Sequence, residues 1–267
     1  MISTLTIGER SVSFDPEKPI DISIPLRFDR PQPSAFGVGM ATAEELGDTR
    51  EDSSVNFERY TLVPHCNGTH TECVGHITHK RISVRSCLQD VLINTVLISV
   101  EPESEPTESY SVKFEPGDRL ITRKVLERAL ASGSSSVTFG LPLALIVRTL
   151  PNDDSKLTAD YGDENISPYF TTEAMLLIAD SGFTHLLVDM PSIDRLFDGG
   201  HLANHRIFWK VEPGSFEVNA ATRVGSTITE MIYVPNSVED GEYLLNLQIA
   251  PFEADASPSR PILWAII

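Results

Sequence analysis

The stretch from Pro64 to His79 reads P-H-C-N-G-T-H-T-E-C-V-G-H-I-T-H and holds four of the chain's seven histidines, His65, His70, His76 and His79, within fifteen residues. A residue this scarce does not crowd by chance, and so many ionisable side chains must share either solvent or a common site. The stretch follows an apolar–polar alternation over 57–63 and contains Gly68 and Gly75, which predicts a turning, irregular passage after a strand, able to aim several side chains at one point. His70 and Glu72 are two apart and share a face wherever the backbone is extended, and His76 lies four beyond Glu72. Imidazole and carboxylate together suit zinc, manganese or ferrous iron. Three other readings stay open on the same residues: histidines titrating freely in water, a structural zinc knot with Cys66 and Cys73, and a Cys–His nucleophile pair. The knot lacks the usual C-x2-C pairing, and nothing specifies the orienting third member of a nucleophile pair.

A centre of this kind needs walls, and 267 residues with 41% hydrophobic content bury one core without a disulfide or metal to hold it together. Acidic residues outnumber basic ones 38 to 21, for a net charge of −17. That balance excludes the clustered Lys and Arg a nucleic-acid or anionic-membrane surface requires, and it reads as solubility. The richest apolar stretch, 139–147, contains Gly140 and Pro142 and falls far short of the ~20 residues a membrane helix needs. With no basic-then-apolar leader and only three cysteines, a soluble cytoplasmic protein is expected. Val/Ile/Leu-rich runs at 91–100, 137–147, 186–188, 228–234 and 243–249 predict strands, joining the alternating run at 57–63. Helices are expected over 122–131 and 172–181, the second with Thr171 or Thr172 as N-cap, Glu173 in its first turn and Gly182 as its stop. Polar stretches at 101–109, 132–136 and 151–163 read as surface loops. No linker divides the chain, so the expectation is a single mixed α/β domain over 1–267.

Gly68-Thr69-His70-x-Glu72-x-x-x-His76 resembles the GTH-x-D-x-P-x-H signature of the metal-dependent cyclase family, to which bacterial kynurenine formamidases and isatin hydrolases belong. Other segments resemble the family in the same order: Asp21-Ile22-Ser23-x-Pro25-Leu26, Arg148-Thr149, the run from Leu187 to Asp194 (L-V-D-M-P-S-I-D), His205-Arg206-Ile207, Thr229-Glu230-Met231 and Gly241-Glu242-Tyr243. The resemblance implies a swivelling β/β/α fold, usually a homodimer, around a divalent metal, zinc first and manganese second. Carried over by position, His70 and Glu72 are metal ligands, with Glu72 where the family has Asp. His205 and Glu230 complete the site or hold a second metal, and His76 is the general acid/base. The family's first ligand falls on Cys66, which leaves three possibilities: Cys66 binds as thiolate, His65 turns in instead, or the metal is lost. The implied reaction is hydrolysis of a carbon–nitrogen amide bond in a small molecule (an aryl formamide, cyclic imide or lactam) by a metal-activated water. The alternative is a relative that binds a small molecule or metal without turnover, because two ligand types differ within one motif. Asp189 and Asp194 are expected to make turn and cap hydrogen bonds, and His185 to be a structural histidine.

Overall fold

Every run of Val, Ile and Leu in the chain has to be covered on both faces or only one, and the computed structural model shows both arrangements. It describes residues 1–7, 10–104, 107–133 and 143–267, so the predicted loop and strand positions from 134 to 142 lie outside it. In chain order the first strands are β1 (Ser3–Ile7), β2 (Arg10–Phe14), β3 (Ile20–Asp21), β4 (Ser34–Ala35), β5 (Thr42–Gly47), β6 (Phe57–Thr61), β7 (His70–Cys73) and β8 (Ile93–Val100). They are followed by β9 (Leu120–Ile121), β10 (Ala144–Thr149), β11 (Asp160–Tyr161), β12 (Tyr169–Phe170), β13 (His185–Val188), β14 (Thr227–Glu230), β15 (Gly241–Ile249) and β16 (Ala256–Ala265). The helices are α1 (Val84–Cys87), α2 (Arg123–Gly133), α3 (Thr172–Asp180) and α4 (Ala203–Trp209).

Pairing runs β15-β8-β10-β13-β14-β7-β16, and β16 turns back onto β15, so these strands close a barrel with β3 added on β16. From β8 to β14 the neighbours are parallel; β7, β15 and β16 run antiparallel to theirs. Parallel strands of this kind bury both faces, which is why they read as unbroken apolar runs. On the outer face Val96, Ile98, Leu145, Val147, Leu186 and Val188 pack with Leu126 of α2, Met175 of α3 and Trp209 of α4. Alternate residues, among them Leu97, Ile146 and Leu187, turn into the barrel against Leu245, Leu247 and Leu263. Thr171 caps α3 by accepting the Ala174 amide at 3.2 Å.

Three expectations are corrected. The histidine stretch is not an irregular passage throughout: His70–Cys73 is a buried barrel strand, and the turning is confined to Gly68 (φ +70°) before it and the 3-10 turn Val74–Ile77 after it. The alternation at 57–63 does produce a strand, but β6 pairs only with β5 in an arm whose β6 residues are all exposed, so the alternation marks no buried face. Strand β16 was not anticipated, because Pro258 and Pro261 interrupt its apolar pattern. Among the described residues, no helix is long and apolar enough to cross a membrane.

Candidate metal centre

Strands β7 and β14 are antiparallel neighbours with His70 opposite Glu230 and Glu72 opposite Ile228. Alternation along each strand puts His70, Glu72 and Glu230 on the helix-covered face with Ile228, while Thr71 and Thr229 meet on the other face, hydroxyl to hydroxyl at 2.8 Å. Helix α4 brings His205 over this group, with Nε2 3.0 Å from Glu72 Oε1 and 3.9 Å from Glu230 Oε1. Behind His205, Asp194 sits 2.6 Å from Nδ1 and also accepts the amides of Asn204 and His205 and the hydroxyl of Tyr110 at 2.7 Å. Glu230 Oε1 accepts the Ile193 amide at 3.1 Å, which ties the end of β14 to the same turn.

His70 is fully buried. Its Nδ1 lies 3.1 Å from the Gly68 carbonyl, which can only accept, so the ring proton sits on Nδ1 and Nε2 presents a lone pair. That Nε2 has no hydrogen-bond partner, although Glu230 Oε2 is 3.3 Å away. A buried imidazole nitrogen set against a carboxylate makes a donor pair suited to a divalent cation.

The site opens to solvent past His65, His76 and Asp255, whose side chains are 23%, 28% and 25% exposed. His65 bridges two carboxylates, Nδ1 to Glu72 Oε2 at 2.9 Å and Nε2 to Asp255 Oδ2 at 2.8 Å. His76 packs on His65 with ring centroids 4.1 Å apart, its Nε2 3.9 Å from Glu72 Oε2 and its Nδ1 3.6 Å from Asp255 Oδ2. Asp255 comes from the turn between β15 and β16, whose carbonyl takes the Cys73 amide at 3.0 Å.

Burial opposes charge on His65, yet its hydrogen bonds to Asp255 and Glu72 override it and raise the imidazole to about 10. Burial likewise opposes charge on His205 and on Glu72, and again the partners prevail: Asp194 and Glu72 hold His205 well above its ordinary range, and His76, His205 and His65 hold Glu72 well below its own. Hydrogen bonds from His65 and His76 keep Asp255 far below the usual carboxylate range.

Among the described residues, two groups bring ligand atoms within 4.8 Å of one another: His65, Glu72 and His76, and His70, Glu72 and Glu230. Glu72 belongs to both. Cys66 belongs to neither. It is buried, and desolvation with the nearby Glu230 charge pushes its thiol up to about 11; it is His65 that stands against Glu72. His79 lies apart, stacked on Phe216, and buried His185 is occupied by Thr227 and Asp90. Asp189 serves Thr149 and Lys156 rather than the centre. Sequence reasoning missed Asp255, which carries no motif, and gave Asp194 turn and cap hydrogen bonds, which it makes with the Asn204 and His205 amides, but not its contact with the His205 ring. The clue to Asp194 was its place eleven residues before a motif histidine, after a Pro-Ser turn. The imidazole and carboxylate donors, with the orphaned His70 nitrogen between them, fit a divalent cation such as zinc, manganese or ferrous iron.

The Cyclase family model matches residues 20–195, from β3 through the histidine strand to the Asp194 turn. No curated protein matches the chain. Solved structures do. A predicted metal-dependent hydrolase from Bacillus stearothermophilus superposes with a TM-score of 0.60 at 15% identity, covering 92% of this chain and 98% of that one. Isatin hydrolase A from Ralstonia solanacearum gives 0.62 at 13% identity, with 93% and 92% covered. Isatin hydrolase A from Labrenzia aggregata, bound to benzyl benzoate, gives 0.59 at 14% identity, with 94% of each chain covered. The mixed α/β architecture is thus theirs from end to end, and with the family's own pattern running through the strand and turn that build this centre, the chain belongs to the cyclase family.

Proposed function

We propose that the chain is a metal-dependent hydrolase of a carbon–nitrogen amide bond in a small molecule: an aryl formamide, a cyclic imide or a lactam. The observation that carries this is the buried, unpartnered Nε2 of His70 facing Glu230, beside a second buried carboxylate and below a half-open pair of histidines. A divalent cation, zinc or manganese, would supply Lewis-acid polarisation of the substrate carbonyl and a water acidic enough to ionise near neutral pH. His70, Glu72 and Glu230 hold it, joined by His205, whose outer nitrogen is fixed by Asp194 in the arrangement that steadies ligating imidazoles. Cys66 would offer a sulfur donor only as its thiolate. His76, at the mouth with Asp255 on its Nδ1 side, moves the proton to the leaving nitrogen. The shared fold of isatin hydrolases supports the choice of amide bond. A homo-oligomeric form is part of the proposal and is read by light scattering.

One observation favours a non-catalytic binder: Cys66 and Glu72 stand where the family motif has His and Asp. Metal content decides first. Protein purified without an affinity metal should carry about one or two equivalents of zinc or manganese, lost in His70→Ala. A panel of formamides and cyclic amides should then be cleaved, and His76→Ala should abolish cleavage while keeping the metal. Protein that holds no metal and takes none up sinks the hydrolase; metal bound with no turnover, and no effect of His76→Ala on binding, establishes the binder.

A further inference from the structure

A cavity of about 140 Å³, with no histidine in its lining, lies at the carboxyl ends of β10 and β13, where Thr149 and Asp189 line it. A cavity of this volume is large enough for several waters or one small ligand. Its polar lining divides into groups already spoken for and groups left over. Lys156 Nζ donates to Asp189 Oδ2 at 2.7 Å, to the Thr149 carbonyl at 2.6 Å and hydroxyl at 3.0 Å, and to Asn152 Oδ1 at 3.1 Å, so its three protons are used. Asp189 is neutralised by that lysine and further bonded by the Thr149 amide and hydroxyl. Asp153, at the rim, accepts the Ser155 amide at 2.8 Å.

Three donors remain. Ser167 is 2% exposed, and its hydroxyl is buried with no hydrogen-bond partner. Tyr161, 7% exposed, lines the cavity as well, and burial pushes the pKa of its hydroxyl up. Arg119 is exposed and also lines the cavity. A forked cation and two hydroxyl side chains lining one cavity match the two oxygens of a carboxylate. The Asp153 carboxylate at the rim opposes a doubly charged anion. We propose that this cavity binds a small monocarboxylate, with Arg119, Tyr161 and Ser167 as its donors.

The control must separate this cavity from the metal centre, because both accept carboxylates and they are neighbours: Met190 lines the cavity, and its carbonyl takes the amide of Met231, next to Glu230, at 2.9 Å. Carbon-13 acetate is titrated by NMR into the full-length protein as purified, with inorganic phosphate as the comparison. Arg119→Gln, whose exposed site leaves the unfolding midpoint unchanged, should weaken acetate binding about tenfold or more. Glu72→Gln, or His76→Ala where the first fails to fold, should leave it intact. Acetate binding that survives Arg119→Gln and disappears with Glu72→Gln assigns it to the metal centre and overturns the proposal. Phosphate bound in preference to acetate overturns the carboxylate assignment, and no saturable binding means the cavity holds water alone.

Discussion

At the scale of single residues, the centre depends on side chains that touch no cation. Asp194 is the clearest: its carboxylate is 2.6 Å from His205 Nδ1 and fixes which nitrogen faces Glu72. Asp194→Asn keeps the shape but offers an amide where an acceptor is needed. It should weaken zinc or manganese binding roughly 10–100-fold in chelator competition; unchanged affinity would remove Asp194 from the site's support. Asp118 makes a different prediction, outside the centre. Burial works to raise its pKa, but hydrogen bonds from the Glu115 amide, the Tyr169 hydroxyl (2.7 Å) and Arg195 (3.2 Å) hold it below its ordinary value. A depressed carboxylate contributes stability that is complete above its unfolded pKa and disappears as pH falls through the folded one. Asp118→Asn should therefore cost about 3 kcal/mol near neutral pH and flatten the acid side of the stability profile, as read by urea unfolding between about pH 2 and 6. A mutant whose profile stays parallel to the parent's contradicts the assignment. What could be read in advance at this scale was spacing: His70 and Glu72, two apart, need only an extended backbone to converge. Asp255 could not be read, because its role depends on where the turn between β15 and β16 lands.

Elements carry the second level of constraint. The 3-10 turn after β7 holds His76 at the mouth, and Gly75 lies within it under the backbone of Ile82. A Cβ at that glycine would overlap the Ile82 carbonyl oxygen, which is backbone and cannot rotate away. Gly75→Ala should cost about 1–3 kcal/mol and displace His76 while leaving the ligands on β7 and β14 in register. Amide hydrolysis should fall far more than metal content, measured side by side on the same preparation; loss of both in proportion would mean the turn does not move independently of the strand. The same level shows why part of the fold was legible. Strands β8, β10 and β13 announce themselves as apolar runs because they are covered on both faces. Strand β16 hides behind Pro258 and Pro261, which a strand accepts only where no ladder donor is required of it. The exposed β5–β6 arm shows the opposite: its period of two is correct, and burial does not follow.

On the scale of the whole molecule, the centre is a meeting point of parts distant along the chain. His65 and Asp255 are 190 residues apart, and between them come β7, the Asp194 turn, α4 and the end of β14. An unfolded chain holds no such cluster, so a cation that binds it binds the folded state and stabilises it by about 2.7 kcal/mol at a hundred times its dissociation constant. For a chain of this length, zinc or manganese added to chelator-stripped protein should raise the thermal midpoint by roughly 5–10 °C. A net charge of −17 raises a competing explanation, since cations also condense on an acidic surface. Salt separates the two. At about 1 M ionic strength the screening length is ~3 Å, which erases surface condensation but leaves a buried site nearly untouched. The rise should thus persist in high salt and vanish in His70→Ala, whose surface charge is the parent's. A rise abolished by salt and retained in His70→Ala would move the cation from the buried face of β7 and β14 to the protein surface, and the hydrolase reading would lose the group its chemistry requires.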